Sequence, residues 1–188
     1  MMLLSFRWLV LPASVLALSA CGQGEKAPDA NAQAAQPVES RTQLIGLPNG
    51  ATITVEEGSV GQQLAVYLAS TDPAPRSFQI GGDQFADWSA TARPAVRAMV
   101  PGLVELLKSY PAVRLRLVGH TDNVGDPAAN LKLSQDRARM AKQHLVDAGI
   151  SEGRIEVEGK GLTQPIADNA TVEGRARNRR VELIVIAK

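Results

Sequence analysis

The chain is poor in the residue types from which reactive sites are usually built. Its 188 residues include one cysteine and two histidines. A single cysteine excludes an internal disulfide and a thiolate metal cluster. His120 lies two residues before Asp122, but His144 is far along the chain, and no nucleophile, base and orienting group can be assembled from what remains. No catalytic residue, metal ligand set or cofactor is therefore expected, and the chain does not read as an enzyme. Aromatic residues make up only 4% of the sequence, too few for a platform that stacks sugars or bases. An excess of one charge is also missing, with Lys+Arg 20 against Asp+Glu 19. No global field would draw in nucleic acid. The basic cluster Arg175, Arg177, Arg179 and Arg180 is expected to pair in part with Glu173 and Glu182.

Long apolar runs are scarce as well. Trp8 to Leu18 is apolar but too short to span a bilayer comfortably as a permanent helix. It follows Arg7 and ends in Ser19-Ala20-Cys21, which reads as an export signal over residues 1–20. Leu18-Ser19-Ala20-Cys21 resembles the bacterial lipobox. That resemblance implies acylation of Cys21, with palmitate-type chains, and an outer-membrane address, because residue 22 is Gly and not Asp. Each buried CH₂ of such a chain contributes about 0.8 kcal/mol, so several chains on one cysteine make a stable anchor. Residues 21–43 are rich in Ala, Gln, Pro and Asn and read as a lipid-anchored disordered linker. Fully extended, that linker would reach about 70 Å.

Apolar residues return near Leu44. Ala51–Val55, Leu64–Leu68 and Ser77–Ile80 read as short strands between Gly- and Pro-rich turns, so residues 44–75 form a strand-containing extension. Ser89 is a candidate helix cap with Pro94 in the first turn; Val96, Val100, Leu103 and Leu107 then recur at helical spacing. Pro101-Gly102 inside this pattern should kink the helix or delay its start. Val113, Leu115 and Leu117 alternate with Arg114 and Arg116, the pattern of a strand with one buried face. A helix is expected from Asn130 to Ala148, with Leu133, Ala138, Ala141, Leu145 and Ala148 buried and Gly149 as its left-handed cap. Ile155 and Val157 mark a strand, residues 160–177 a polar loop, and Val181–Ala187 a last strand, apolar on both faces and so interior to the sheet. The fold class is α/β, a single-domain sandwich in which a mixed sheet packs on helices.

The most informative stretch is Gly119-His120-Thr121-Asp122-Asn123, followed by Asn130, Leu133-Ser134 and Arg137-Ala138. It sets a carboxylate at the end of an apolar strand and a guanidinium on the next helix. The loop turns at Gly125 and Pro127, so the helix can fold back beside the strand end. An Arg fork takes a carboxylate through two hydrogen bonds, and Asp122 accepts from an ammonium. Together they make a socket for a zwitterion. Asn130, where the helix begins, can cap it or donate to a ligand oxygen. The same spacing also fits an ion pair between Asp122 and Arg137 themselves.

The segments GHTDNVGDPAAN, LSQDRA and NRRVEL, in this order and spacing, resemble the peptidoglycan-binding domain found at the C-terminus of OmpA and in peptidoglycan-associated lipoprotein. The likeness covers residues 76–188 and is most specific over 113–186. It implies an OmpA C-terminal-like fold and a ligand, the meso-diaminopimelate residue of the cell-wall stem peptide, whose side-chain end carries an ammonium and a carboxylate. Asp122 and Arg137 fall on the key positions, and Thr121, Asn130 and Arg179 on supporting ones. One segment departs from the pattern. Residues 79–88, QIGGDQFADW, are longer than usual where the backbone helps line the pocket, with Gly82, Asp83 and Phe85 as candidates.

The expected function is that of an outer-membrane lipoprotein that binds peptidoglycan non-covalently and tethers membrane to wall from the periplasm. The alternative is a signalling lipoprotein that binds peptidoglycan and also sequesters a periplasmic protein partner, with residues 44–75 as the partner surface.

Overall fold

The computed structural model describes residues 41–80 and 94–188, the side chains of 94–97 excepted. The expectations for the export signal, for Cys21, for the linker up to residue 40, and for Gly82, Asp83, Phe85 and Ser89 lie outside the described residues; Thr42 and Gln43, expected in the linker, belong instead to the first strand. The described elements are β1 (Thr42–Gly46), β2 (Thr52–Glu56), α1 (Val60–Ala69), β3 (Arg76–Ile80), α2 (Pro94–Ser109), β4 (Arg114–His120), α3 (Pro127–Asp147), β5 (Ile155–Gly161), α4 (Val172–Asn178) and β6 (Val181–Ala187).

A four-stranded mixed sheet in the order β3-β6-β4-β5 carries the site. β6 is antiparallel to both β3 and β4, while β4 and β5 are parallel and joined through α3. The interior place expected for the last strand is observed: Val181, Leu183 and Val185 are buried, and Ile184 and Ile186 are half-buried. Leu115 and Leu117 of β4 face the same core as Leu106 and Leu107 of α2 and Ala138 and Leu145 of α3. Gly149, with φ 94°, follows α3 in the left-handed conformation expected of it.

Three local readings are corrected. Leu64–Leu68 is not a strand but the middle of α1. Ser59 caps that helix, its Oγ accepting from the Gln62 N–H at 3.2 Å. Leu64, Ala65, Tyr67 and Leu68 are buried and Val66 is 62% exposed, which is helical spacing and not alternation. Five apolar residues in a row, one aromatic and one β-branched, carry too little periodicity to separate the two. Second, of the two outcomes allowed for Pro101-Gly102 the delayed start is not the one observed, since α2 begins at Pro94, as expected, and runs through Pro101. Third, the polar stretch 160–177 holds most of α4. Its cap is Thr171, whose Oγ1 accepts from the Gly174 N–H at 2.9 Å.

β1 and β2 form a separate antiparallel hairpin. It is not detached from the core. Leu47, Ile53, Val55, Leu64, Tyr67 and Leu68 belong to one buried cluster with Phe78, Leu107, Leu115 and Leu183. Lys188 ties the end of β6 to the end of α1, its Nζ donating to the carbonyls of Tyr67 at 2.9 Å and Ser70 at 2.8 Å.

Two glycines fix how closely α3 lies on the sheet. A Cβ on Gly119 would overlap the carbonyl oxygen of Ser134, and one on Gly159 would meet Ser134 and Gln135. With both side chains absent, α3 settles directly on β4 and β5. The Ser134 hydroxyl donates to the Leu131 carbonyl at 2.7 Å and accepts from the Gly161 N–H at 2.9 Å. This seating carries Arg137, one turn on, under the end of β4.

Candidate functional site

The end of β4 and the loop after it form one wall of the site. Thr121 is held by its backbone N–H, which donates to the Gly161 carbonyl at 2.9 Å. The Asp122 carboxylate accepts from the Val124 N–H at 3.1 Å, an Asx-type turn that aims the side chain. Its other oxygen accepts from Arg179 Nη1 at 2.9 Å. Asp126, not Asn130, caps α3; its carboxylate accepts from the Ala129 N–H at 2.8 Å, and Pro127 opens the helix. Asn130 is buried one turn into α3 and donates to the Val124 carbonyl at 2.9 Å. It closes the loop onto the helix, so the capping role expected of it passes to a residue four earlier.

Arg137 is 1% exposed, and its Nη1 donates to the His120 carbonyl at 3.4 Å. The guanidinium is thus fixed against the strand end that presents Thr121 and Asp122. The ion pair that the spacing allowed between Asp122 and Arg137 is not the one formed among the described residues; the partner of Asp122 is Arg179.

These residues surround a cavity of about 260 Å³ lined by Thr121, Asp122, Val124, Asn130, Leu133, Arg137, Val172, Arg175 and Arg179. All five residues that the sequence singled out therefore meet at one cavity. Four lining residues were not singled out as site residues: Val124, Leu133, Val172 and Arg175. Val172 and Arg175 lie on α4, which the polarity of residues 160–177 disguised as loop. Thr171, whose Oγ1 accepts from the N–H of Gly174 three residues on, was the available signal.

The His120 ring takes no part in fixing the loop. The side chain is buried, and neither ring nitrogen makes a hydrogen bond. Nε2 lies 3.6 Å from Glu182 Oε1, which already takes Arg180 at 2.6 Å. Burial, helped by the nearby Arg180 charge, lowers the His120 pKa from 6.5 to about 4. At neutral pH the ring is an uncharged spacer. Its backbone does the positioning instead, with its N–H on the Arg180 carbonyl at 2.9 Å and its own carbonyl on Arg137. Of the acids expected to balance the basic cluster, Glu182 does so through Arg180, whereas Arg175 rests on carbonyl oxygens. No three His, Cys, Asp or Glu among the described residues come together to hold a metal ion.

Residues 84–179, just over half of the chain, match the model of the OmpA family. The chain belongs to the OmpA family. Outer membrane protein A of Bordetella avium is 40% identical over 117 residues, which is 61% of this chain and 60% of that protein. The chain thus spans less than two thirds of that relative. Among solved structures, the cell wall anchor of the T6SS from Pseudomonas aeruginosa is 32% identical, with a TM-score of 0.54 over 69% of this chain and 98% of that one. The peptidoglycan-associated lipoprotein from Burkholderia pseudomallei is 26% identical, with a TM-score of 0.51 over 60% of this chain and 90% of that one. The OmpA C-terminal-like fold expected from the motifs is the fold observed: a mixed α/β domain with a four-stranded sheet.

Proposed function

We propose that this OmpA-family chain binds peptidoglycan non-covalently by gripping the zwitterionic end of an uncrosslinked diaminopimelate residue. The observation that carries the reading is the single cavity that brings Asp122 and Arg137 together with Thr121, Asn130 and Arg179. The names of two similar structures, a cell wall anchor and a peptidoglycan-associated lipoprotein, point to the same polymer.

The chemistry follows from the donors and acceptors. Asp122 keeps acceptor capacity beyond Arg179 and Val124, because a carboxylate offers about four lone-pair sites. A ligand ammonium takes those sites. The ligand carboxylate lies toward Arg137 and Arg179, which meet it with fixed N–H groups. Asn130 and Thr121 supply neutral hydrogen bonds, and Val124 and Leu133 pack on the methylenes between the ligand's polar ends. A ligand with only one of the two charges would forgo one of these contacts, and a hydrogen bond to a charged group contributes about 1.5–3 kcal/mol. This is recognition without bond breaking.

In this reading Cys21 carries the lipid anchor in the outer membrane and the residues between it and β1 serve as the tether, so that binding ties membrane to wall. The test is co-sedimentation of the full-length protein with purified sacculi, competed by free meso-diaminopimelate and by lysine. Diaminopimelate should displace the protein and lysine, which lacks the second carboxylate, should not. Equal displacement by both would sink the two-charge socket, and release of soluble wall fragments would contradict a purely binding role.

A further inference from the structure

Among the described residues that line the cavity, the carboxylate of Asp122 stands with the guanidiniums of Arg137, Arg175 and Arg179. Arg179 pairs with Asp122, and Arg137 and Arg179 face the ligand carboxylate in the reading above. Arg175 has no part in that reading. Its Nη1 donates to the Asn169 carbonyl at 2.9 Å and the Ala170 carbonyl at 3.2 Å. Those bonds fix its direction without neutralising it.

The loop that holds Arg175 is itself held. Asn178 is fully buried; its Oδ1 accepts from the Ile166 and Ala167 N–H groups at 2.8 and 3.0 Å. Its Nδ2 donates to the Ala167 carbonyl at 2.9 Å and to Asn169 Oδ1 at 2.8 Å. Gly174 lies so close to this loop that a Cβ there would overlap the Asp168 carbonyl oxygen. A guanidinium mounted on so constrained a frame is positioned before any ligand arrives, so little ordering is required on binding.

We infer that Arg175 receives a second carboxylate of the ligand, so that the site prefers a stem peptide ending at diaminopimelate over one in which that carboxyl is blocked. The inference rests on the diaminopimelate reading. In a stem tripeptide the residue's other carboxyl is free and charged, separated by the methylene chain from the zwitterionic end. Once another residue is joined there, the carboxyl becomes a neutral amide and Arg175 has no anion to meet. Val172 and Leu133, in the same cavity, are suited to the methylenes in between.

The test compares two soluble peptides, the stem tripeptide and the same tripeptide with the α-carboxyl of diaminopimelate converted to a carboxamide. Titration calorimetry on the full-length protein in detergent reads both affinities. The tripeptide should bind about tenfold more tightly, equivalent to about 1.4 kcal/mol. Arg175→Gln should abolish that preference by weakening the free acid alone, and Arg175→Lys should keep part of it. Equal binding of both peptides by the unmodified protein overturns the inference while leaving the diaminopimelate reading intact. So does an Arg175→Gln protein that loses both ligands alike, since that is a loss of loop structure and not of a carboxylate contact. If the unmodified protein binds neither peptide, the diaminopimelate reading fails and this inference with it.

Discussion

Asp122 and Arg179, 57 residues apart in sequence, are joined by a 2.9 Å ion pair at the wall of the cavity. One end lies on the loop after β4, the other between α4 and β6, so the pair closes the socket across two elements. Its side chains are 9% and 17% exposed, which takes the pair out of the weak, surface class. Asp122→Ala should therefore do two things. Co-sedimentation with sacculi should be lost, and stability in urea should fall by about 2 kcal/mol, the range for a hydrogen bond to a charged partner. The double variant Asp122→Ala/Arg179→Ala should recover none of the binding. Recovery of binding in the double variant would show that Asp122 does not touch the ligand.

Gly119 offers a test that never touches the cavity. Its missing side chain lets the Ser134 backbone approach β4, and Ser134 is three residues before Arg137. Gly119→Ala should push α3 outward, with a stability loss of about 1–3 kcal/mol typical of overpacking. Sacculus binding should weaken as Arg137 moves away from the His120 carbonyl. Gly102→Ala is the control: nothing lies within 4 Å of the added Cβ, and in a helix interior alanine should stabilise by about 0.5–1 kcal/mol. Unaltered binding by Gly119→Ala would mean that the helix position does not set the site.

These relationships also show what could be read from the sequence. The socket was legible because its parts lie on one strand–loop–helix unit, residues 113–138, where alternation and turn residues place a carboxylate and a guanidinium on facing elements. The position of Val181–Ala187 was legible from apolar residues on both faces. Other features depended on contacts distant in sequence. Nothing near Asp122 says that Arg179 is its partner. The helical state of Leu64–Leu68 follows from its burial against Phe78 and Leu183, a tertiary choice between two local readings. Asp126 outcompeted Asn130 as the helix cap because Pro127 fixes the first turn one residue after it.

His120 should make stability depend on pH above the range where carboxylates titrate. Its folded pKa is lowered to about 4 by burial and then by Arg180, against about 6.5 for an unperturbed histidine. Above that unperturbed value both states are neutral and the group contributes no pH dependence. As pH falls through 6.5 the unfolded chain takes up a proton that the folded one refuses, so stability is lost, and the loss levels off below about 4. The full span is at most about 3 kcal/mol. Urea midpoints measured between pH 7.5 and 5 should fall with pH, and His120→Asn should flatten that slope. A slope that persists in the variant would assign it to other groups. Asp136, held low by its hydrogen bond to Lys132, acts in a separate window: it loses stability only at still lower pH, as the folded carboxyl is protonated.

Arg154 is the complementary case, an arginine whose work is purely structural. Its Nε donates to the Val113 carbonyl at 2.9 Å, and its Nη2 to the carbonyls of Leu107 at 2.9 Å and Tyr110 at 2.8 Å. One fork thus satisfies the end of α2, the following turn and the start of β4. Lysine cannot reproduce that planar geometry. Arg154→Lys should cost about 1–2 kcal/mol in urea unfolding and leave the affinity for sacculi unchanged at temperatures where the protein is folded. A large affinity change with unaltered stability would reverse the assignment.

The hairpin and α1 decide where the folding unit begins. Leu47, Ile53, Val55, Leu64, Tyr67 and Leu68 are all buried in the cluster that includes Leu115 and Leu183. Each large apolar side chain removed from such a cluster forfeits about 1.5–3 kcal/mol, while a domain of this size holds only about 5–15 kcal/mol in total. A chain starting at residue 41 should unfold in one cooperative transition with the midpoint of the full-length protein. A chain starting at residue 76 should lose cooperativity or bind a hydrophobic dye, because the apolar face beneath α1 is opened. If that shorter chain unfolds with the same midpoint, residues 41–75 are an accessory layer, and a role for them in holding a partner protein can then be examined by deletion without disturbing the site.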